Sequence, residues 1–216
     1  MIPTAPPYLF LKGNVHLLNE KSVSVVGSRN ASMESIEKTE KLVKALVKRN
    51  IVVNAGLAKG IDTITHKTAL QNNGRTIAVI GTPINLYYPR ENKELQLAIE
   101  KHGLVISQFP PFNKVYKWNF PLRNAIMSGI SIATIIMEAG ERSGALRQAD
   151  HCIKQGRDIL IPHSLLYSSL LWPRKYIQKG AHAFKNIKDV LELLNKNDIL
   201  YLLHNDDFEV SSIEID

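Results

Sequence analysis

The segment "VVGSRNAS" places a glycine, a hydroxyl and a cation at consecutive positions, a combination suited to holding an anion. Gly27 permits a tight turn, and the hydroxyl of Ser28 and the amides that follow can donate hydrogen bonds. Arg29 supplies a planar guanidinium whose geometry matches phosphate. An ordinary glycine turn carrying a solvated arginine has the same residues, so this segment alone leaves both interpretations open.

A second segment, "NAGLAKGIDTITHKTAL", sets Lys59 between Gly56 and Gly60. Both glycines let the backbone approach a ligand, and the start of the following helix directs free N–H groups the same way. Asp62 belongs either to this site or to the N-cap of that helix. A lone histidine one turn into a helix is more often structural, so we assign His66 no catalytic role.

A third segment, "KWNFPLRN", interleaves cations and aromatic rings ahead of an apolar helical run. Lys117 and Arg123 suit phosphates, while Trp118 and Phe120 suit exposed bases, which stack on rings for ~1–3 kcal/mol each in single strands. In a duplex those base faces are already occupied. The alternative is that Trp118 and Phe120 pack into the core at the entrance of the helix.

Other chemistry lacks the residues that it needs. The turn at Gly27 has neither the GxGxxG pattern of dinucleotide-binding loops nor the Lys-Ser/Thr ending of a P-loop. Cys152 is the single cysteine, so the chain offers no intramolecular disulfide and no multi-thiolate metal site. No serine or cysteine has a defined base beside it. The sequence therefore predicts no catalytic residue, metal or cofactor, and favours a binding protein over an enzyme.

Six short β-branched runs alternate with helical patterns, which predicts an α/β fold with a mostly parallel sheet covered by helices on both faces. The predicted strands lie at 22–28, 51–56, 76–81, 104–109, 132–138 and 158–163. In such a sheet the loops after the strands lie at one edge, where ligands bind. The three segments above should therefore converge, whereas independent surface turns need not.

The sequence predicts one principal domain at 21–200, an N-terminal arm at 1–20 and an acidic C-terminal tail at 201–216. The net charge of +7 is uneven: residues 189–216 carry −7 and residues 1–188 carry +14. A body this basic favours polyanions such as nucleic acid, although a solubilising surface has the same composition. No run approaches the ~18 apolar residues of a membrane span, so the sequence predicts a cytoplasmic protein that does not contact the membrane.

The blocks "VVGSRNAS", "AGLAKGIDTITHKTAL", "TIAVIGTPINLYYPRENKEL", "FPLRNAIMSGIS", "IIMEAGERSGALRQA" and "QGRDILIP" occur in this order within residues 22–162. Together they resemble the DprA/Smf family, the DNA processing protein A of bacteria. The resemblance implies an extended Rossmann-like, three-layer fold that binds single-stranded DNA in a basic pocket. It also implies a homodimer that protects incoming single strands during natural transformation and helps a RecA-type recombinase to load on them. The family is not known as an enzyme.

Carried over motif by motif, the resemblance implies ten DNA-contacting residues. They are Gly27, Ser28, Arg29, Gly56, Lys59, Gly60, Lys117, Phe120, Arg123 and Asn124. The sequence departs from the family pattern at Asn54-Ala55, where Ser-Gly is usual, and at Ala125, where arginine is frequent. The N-terminal helical domain and C-terminal winged helix of many members have no room here, which predicts a shortened form.

Two other functions remain open from the sequence. Related Rossmann-like families cleave or sense nucleotides at a similar strand-end cleft, and Glu138 with Ser143-Gly144 could serve such chemistry. No Pro-Gly-Gly-x-Gly-Thr loop precedes Glu138, which weighs against this reading. The third possibility is a regulatory scaffold that binds other proteins through its acidic C-terminal end or through an exposed Trp172 and Tyr176.

Overall fold

The computed structural model describes residues 5–195, which form an eight-stranded sheet with helices on both faces. The strands are β1 (Phe10–Gly13), β2 (Ser22–Val26), β3 (Val52–Ala55), β4 (Thr76–Val79), β5 (Leu104–Ser107), β6 (Ala133–Ile136), β7 (Asp158–Pro162) and β8 (His182–Phe184). The helices are α1 (Met33–Lys48), α2 (Ile61–Gln71), α3 (Lys93–His102), α4 (Asn119–Gly129), α5 (Gly144–Lys154) and α6 (Trp172–Gln178), and a seventh, α7, is described over 187–195.

The strand order is β1-β5-β4-β3-β2-β6-β7-β8, and every pairing except that of β1 with β5 is parallel. From β2 the chain winds outward through β3 and β4 to β5, then returns to place β6 on the other side of β2. The order therefore reverses between β2 and β6. In open α/β sheets, the crevice beyond such a reversal is where ligands bind.

Helices cover both faces of the sheet because the central strands are apolar on both sides. Every residue of β2 to β6 is buried. Helices α4, α5 and α6 contribute Ile126, Ala149 and Trp172 to one core cluster, while α1 and α7 contribute Leu46 and Val190 to the opposite one. The predicted α/β class, with a mostly parallel sheet between two helical layers, is confirmed.

The first twenty residues include a strand, whereas the sequence predicts only an N-terminal arm there. Strand β1 pairs antiparallel with β5, with Phe10 opposite Ser107. A short 3-10 helix, Val15–Asn19, then inserts Leu17 into the core. The boundary predicted at residue 20 stays a prediction, and the acidic tail predicted at 201–216 lies outside the described residues.

Trp172 and Tyr176 are buried, so the expectation that they form an exposed protein-binding surface is wrong. Only 2% of Trp172 and 4% of Tyr176 is exposed. The indole N–H of Trp172 donates to the Ala139 carbonyl at 2.8 Å, and the Tyr176 hydroxyl lies 2.8 Å from the Asp150 carboxylate. Both rings fix α6 against the sheet. No helix within residues 5–195 is long and apolar enough to cross a membrane.

Candidate functional site

The loops after β2 and β3 pack directly against each other at the carboxyl edge of the sheet. The amide of Ile61, at the start of α2, donates to the Ser28 carbonyl at 3.1 Å. Gly60 adopts a φ of 72°, and a Cβ there would collide with the carbonyls of Ser28 and Arg29. Glycine at this position therefore allows the two predicted segments to come together.

Arg123 ties α4 to the same edge from below. Only 6% of it is exposed, and its guanidinium donates to the Gly56 carbonyl at 2.6 Å and to the Val79 carbonyl. A Cβ on Gly56 would overlap this guanidinium, so the glycine makes room for an internal arginine. Burial lowers the pKa of Arg123 to about 10, with Asp62 acting in the opposite direction. Arg123 therefore stays charged at neutral pH.

Asp62 holds the other side of the Gly56 peptide. One carboxylate oxygen accepts from the amides of Gly56 and Ala58 at 3.0 and 3.3 Å. Burial raises the pKa of Asp62, and the charge of Arg123 and these two hydrogen bonds oppose that shift. Asp62 bonds back to the preceding loop rather than capping α2, whose N-cap residue is Gly60. The Gly56 residue is thus held by two buried side chains of opposite charge type: its amide donates to Asp62 and its carbonyl accepts from Arg123.

Asn92 gives the same loop a third attachment. Its side-chain amide donates to the Leu57 carbonyl at 3.0 Å and to the Thr63 hydroxyl at 2.9 Å. Leu57 itself is buried with a φ of 58°, a conformation that non-glycine residues rarely adopt and that persists only where the surroundings enforce it. Sequence reasoning missed Asn92, which lies in the 3-10 turn before α3.

Three of the predicted cations are exposed at this edge: Arg29, Lys59 and Lys117. Lys59 forms an ion pair with Glu91, which is also exposed. The positive charge of Arg29 contributes to lowering the pKa of Arg123. The sequence predicts that all these cations face a common ligand, but the structure buries one of them. Arg29 and Lys59 face solvent, while Arg123 lies beneath them.

Phe120 and Asn124 connect α4 to two further loops of this edge. The Phe120 ring fills the space beside Gly81, the residue that follows β4 and Ile80, and it contacts the Tyr88 ring at a centroid distance of 5.5 Å. The side-chain amide of Asn124 donates to the Gly144 carbonyl at 3.3 Å, and its oxygen accepts from Arg123. Phe120 is half-buried and Asn124 is buried.

Trp118 is 61% exposed, so the interpretation that it packs into the core is wrong for this ring. Its ring stacks on Tyr116, with centroids 4.4 Å apart and planes 6° from parallel. Sequence reasoning missed Tyr116, although two rings spaced two residues apart around Lys117 were visible in "YKW". The pair lies immediately before α4.

Glu138 lies at the reversal between β2 and β6, where it connects the end of β6 to the start of α1. Its carboxylate accepts from the amide and hydroxyl of Ser32 at 3.1 and 2.7 Å. Burial acts to raise the pKa of Glu138, and hydrogen bonds from Ser35 and Ser32 outweigh it, so that the pKa is lowered. Ser143 caps α5 through the amide of Ala145.

His66 lies in the core, and residues 5–195 contain no cluster of potential metal ligands. His66 is fully buried, its Nδ1 lies 2.7 Å from the Thr76 hydroxyl, and burial lowers its pKa to about 3. It is therefore neutral at physiological pH. This part of the chain holds no group of three or more His, Cys, Asp or Glu residues that could bind a metal ion.

The sequence model of the family described as DNA recombination-mediator protein A matches residues 1–195. The chain belongs to this family. DNA processing protein DprA from Streptococcus pneumoniae is 43% identical over 188 residues, which cover 87% of this chain and 66% of that protein. DNA processing protein DprA from Bacillus subtilis is 36% identical over 198 residues, covering 91% and 67%. The chain thus spans about two thirds of the length of these relatives.

Solved structures of family members share the fold. DNA processing protein A from Streptococcus pneumoniae gives a TM-score of 0.81 at 41% identity, covering 87% of this chain and 66% of that one. The Helicobacter pylori protein, whose structure was described for its unique single-stranded DNA binding mode, gives 0.81 at 25% identity, covering 91% and 92%. A molybdenum cofactor carrier protein from Chlamydomonas reinhardtii, 12% identical, gives 0.56 and covers 83% of this chain and 99% of that one, a likeness in fold alone.

Proposed function

We propose that this protein binds single-stranded DNA along the carboxyl edge of its sheet. The observation that carries the proposal is the meeting of the Ser28, Gly60 and Arg123 segments at that edge, with the side chains of Arg29 and Lys59 exposed above them. Membership of a family that includes a protein described for single-stranded DNA binding supports it.

The exposed cations account for phosphate binding. Arg29 presents a planar fork that can contact two phosphate oxygens, and Lys59 and Lys117 present point charges. Phe120 is half-buried beside Gly81, which leaves part of its ring for a base. Because a duplex hides its base faces, a site that combines cations with a ring should prefer single strands.

The buried members of the predicted set have a supporting role in this proposal. Arg123 and Asn124 hold the loops from within, and Gly27, Gly56 and Gly60 let those loops pack closely. Their direct contact with DNA stays a prediction. A fixed guanidinium beneath the loops also adds positive potential where phosphates bind, without the entropy loss of ordering a surface side chain.

Membership of the family supports a wider role. We propose that the protein acts in DNA processing during natural transformation, protecting incoming single strands and assisting a RecA-type recombinase, as a homodimer in the cytoplasm. Size-exclusion chromatography with light scattering tests the dimer. Measuring the rate at which the host's recombinase forms filaments on single strands coated with a single-strand-binding protein tests the assistance, and an unchanged rate on adding this protein would contradict it.

A titration of single-stranded against double-stranded oligonucleotides tests DNA binding directly. We expect tighter binding to the single strand, with affinity falling by about 0.7 log units per log unit of salt for each phosphate neutralised. Arg29→Ala and Lys117→Ala should each weaken binding and flatten this slope. Matched controls are Arg49→Ala and Lys48→Ala, exposed cations at the far end of α1. Equal loss in variants and controls would show general attraction instead of a site.

A further inference from the structure

Tyr116 and Trp118 form an aromatic pair on the surface that the ten predicted contacts do not include. The two rings are stacked with their planes 6° from parallel, and 45% and 61% of the two residues is exposed. Aromatic rings of this size normally bury their faces, so a stacked pair that keeps so much surface in water is unusual for packing alone. A flat ring, such as a nucleobase, can stack on the exposed face of such a preformed pair.

The pair is held in place by the backbone rather than by a loose loop. The amide of Asn119 donates to the Tyr116 carbonyl at 3.1 Å, which closes a turn around Lys117. The amide of Leu122 donates to the Trp118 carbonyl at 3.2 Å, which anchors Trp118 to the first turn of α4. Asn119, between the pair and Phe120, is 3% exposed. The pair is therefore fixed relative to the helix that carries Phe120 and Arg123.

The charge around the pair matches a nucleic-acid strand. Lys114 and Lys117 flank Tyr116, both are exposed, and neither forms an ion pair with any residue within 5–195. Residues 108–137 contain no Asp or Glu. Rings that alternate with unpaired cations in a segment without acidic residues suit bases that stack between phosphates.

We propose that the Tyr116–Trp118 pair is a second base-stacking platform, which extends the single-stranded path beyond Phe120 along the segment before α4. This inference rests on the proposed function. The platform takes an unpaired base of any sequence, because every base has a π face. Lys114 and Lys117 hold the phosphates on either side of that base.

Tryptophan fluorescence reports on this platform directly. The chain has two tryptophans, and Trp172 is buried with its N–H bonded to the Ala139 carbonyl. We expect oligo(dT) to quench the emission of Trp118 in parallel with binding. A strand of equal length and phosphate number that lacks bases should bind more weakly and leave the emission unchanged.

Variants measure the energetic share of the platform. Trp118→Ala and the double variant Tyr116→Ala/Trp118→Ala should weaken oligo(dT) binding at least fivefold, with no effect on binding of the strand that lacks bases. Trp118→Phe should retain most of the affinity because it keeps a ring. The matched control is Tyr167→Ala, an exposed ring outside this segment. Because Trp118 is on the surface, circular dichroism should show all variants folded.

The outcomes separate the two proposals. Salt-dependent binding of oligo(dT) with no quenching and with unchanged affinity in Trp118→Ala overturns the platform and leaves single-stranded DNA binding intact. Equal quenching by the strand without bases also overturns it, since the signal would then report phosphate proximity. Absence of binding to either strand overturns both proposals.

Discussion

Lys59 and Arg123 show how a single edge uses cations in two different ways. Arg123 is buried, and its guanidinium donates to the carbonyls of Gly56 and Val79, so its charge has a fixed position. Lys59 is exposed and its partner Glu91 is equally open to water. Arg123 is thus part of the frame, whereas Lys59 can exchange its carboxylate partner for a phosphate.

Neutralising Glu91 should therefore strengthen DNA binding. In Glu91→Gln, Lys59 no longer has a competing carboxylate, and we expect single-stranded DNA to bind about two- to fivefold more tightly at low salt. Glu94→Gln, one turn away in α3, removes the same charge without touching Lys59 and serves as the control. Fluorescence anisotropy at several salt concentrations measures both. A gain of equal size in the two variants would assign the effect to net charge alone.

His66 should make the stability of the fold depend on acid. Burial, aided by the charge of Arg123, lowers its pKa from 6.5 to about 3, so the unfolded chain binds a proton in this range and the folded chain does not. The stabilising contribution of neutral His66 is therefore complete above the unfolded pKa and is lost as the pH falls. Between about pH 7.5 and about pH 4.5 the loss should be about 3 kcal/mol.

The variant His66→Gln isolates this contribution. Glutamine can still bond the Thr76 hydroxyl but does not titrate, so its free energy of unfolding should decline less steeply with acid than that of the parent. Urea denaturation at several pH values gives the comparison. Parallel pH profiles for the two proteins would show that His66 does not titrate with a lowered pKa.

At the scale of elements, α4 is the part that turns separate loops into one site. Its first two turns place Phe120 against Gly81, Arg123 against Gly56 and Asn124 against Gly144. These contacts join the loops after β3, β4 and β6 to a single helix. A side chain added at Gly56 or Gly81 would meet Arg123 or Phe120 and should therefore act on the position of α4 and, through it, on the whole edge.

A double-mutant cycle between Gly56 and Arg123 tests this coupling. Gly56→Ala places a Cβ on the Arg123 guanidinium and should cost about 1–3 kcal/mol of stability. Arg123→Ala leaves Asp62 buried without its counter-charge and should cost about 3–5 kcal/mol. In the double variant the alanine at position 56 meets empty space, so the combined loss should be smaller than the sum by at least about 1 kcal/mol. Additive losses, measured by urea unfolding, would show that the two residues act independently.

At the scale of the whole molecule, the sequence predicted the features that depend on local pattern. The β-branched runs that became β2 to β7, and the parallel arrangement that their alternation with helices requires, are confirmed. Strand β1 was missed because its partner β5 lies about ninety residues away, and a four-residue strand with three exposed residues has no strong pattern of its own. The inward direction of Arg123 was missed because residue type and motif do not say which way a cation points. The prediction that Trp172 is exposed was wrong because residue type does not say which way a ring points either.

The uneven charge of the whole chain should also control how fast it captures DNA. Residues 196–216 hold six acidic side chains against Lys196, whereas Arg29, Lys59 and Lys117 are exposed at the carboxyl edge. Changing those six to Asn or Gln raises the net charge from +7 to +13, and a more positive protein attracts a polyanion from further away. We expect a higher association rate for single-stranded DNA at low salt and little difference near 1 M salt, where the Debye length is about 3 Å. Stopped-flow anisotropy measures the rate. Changing six surface Gln and Asn residues elsewhere to Ala is the control. A rate that stays elevated at high salt would point to a direct contact between residues 196–216 and the DNA.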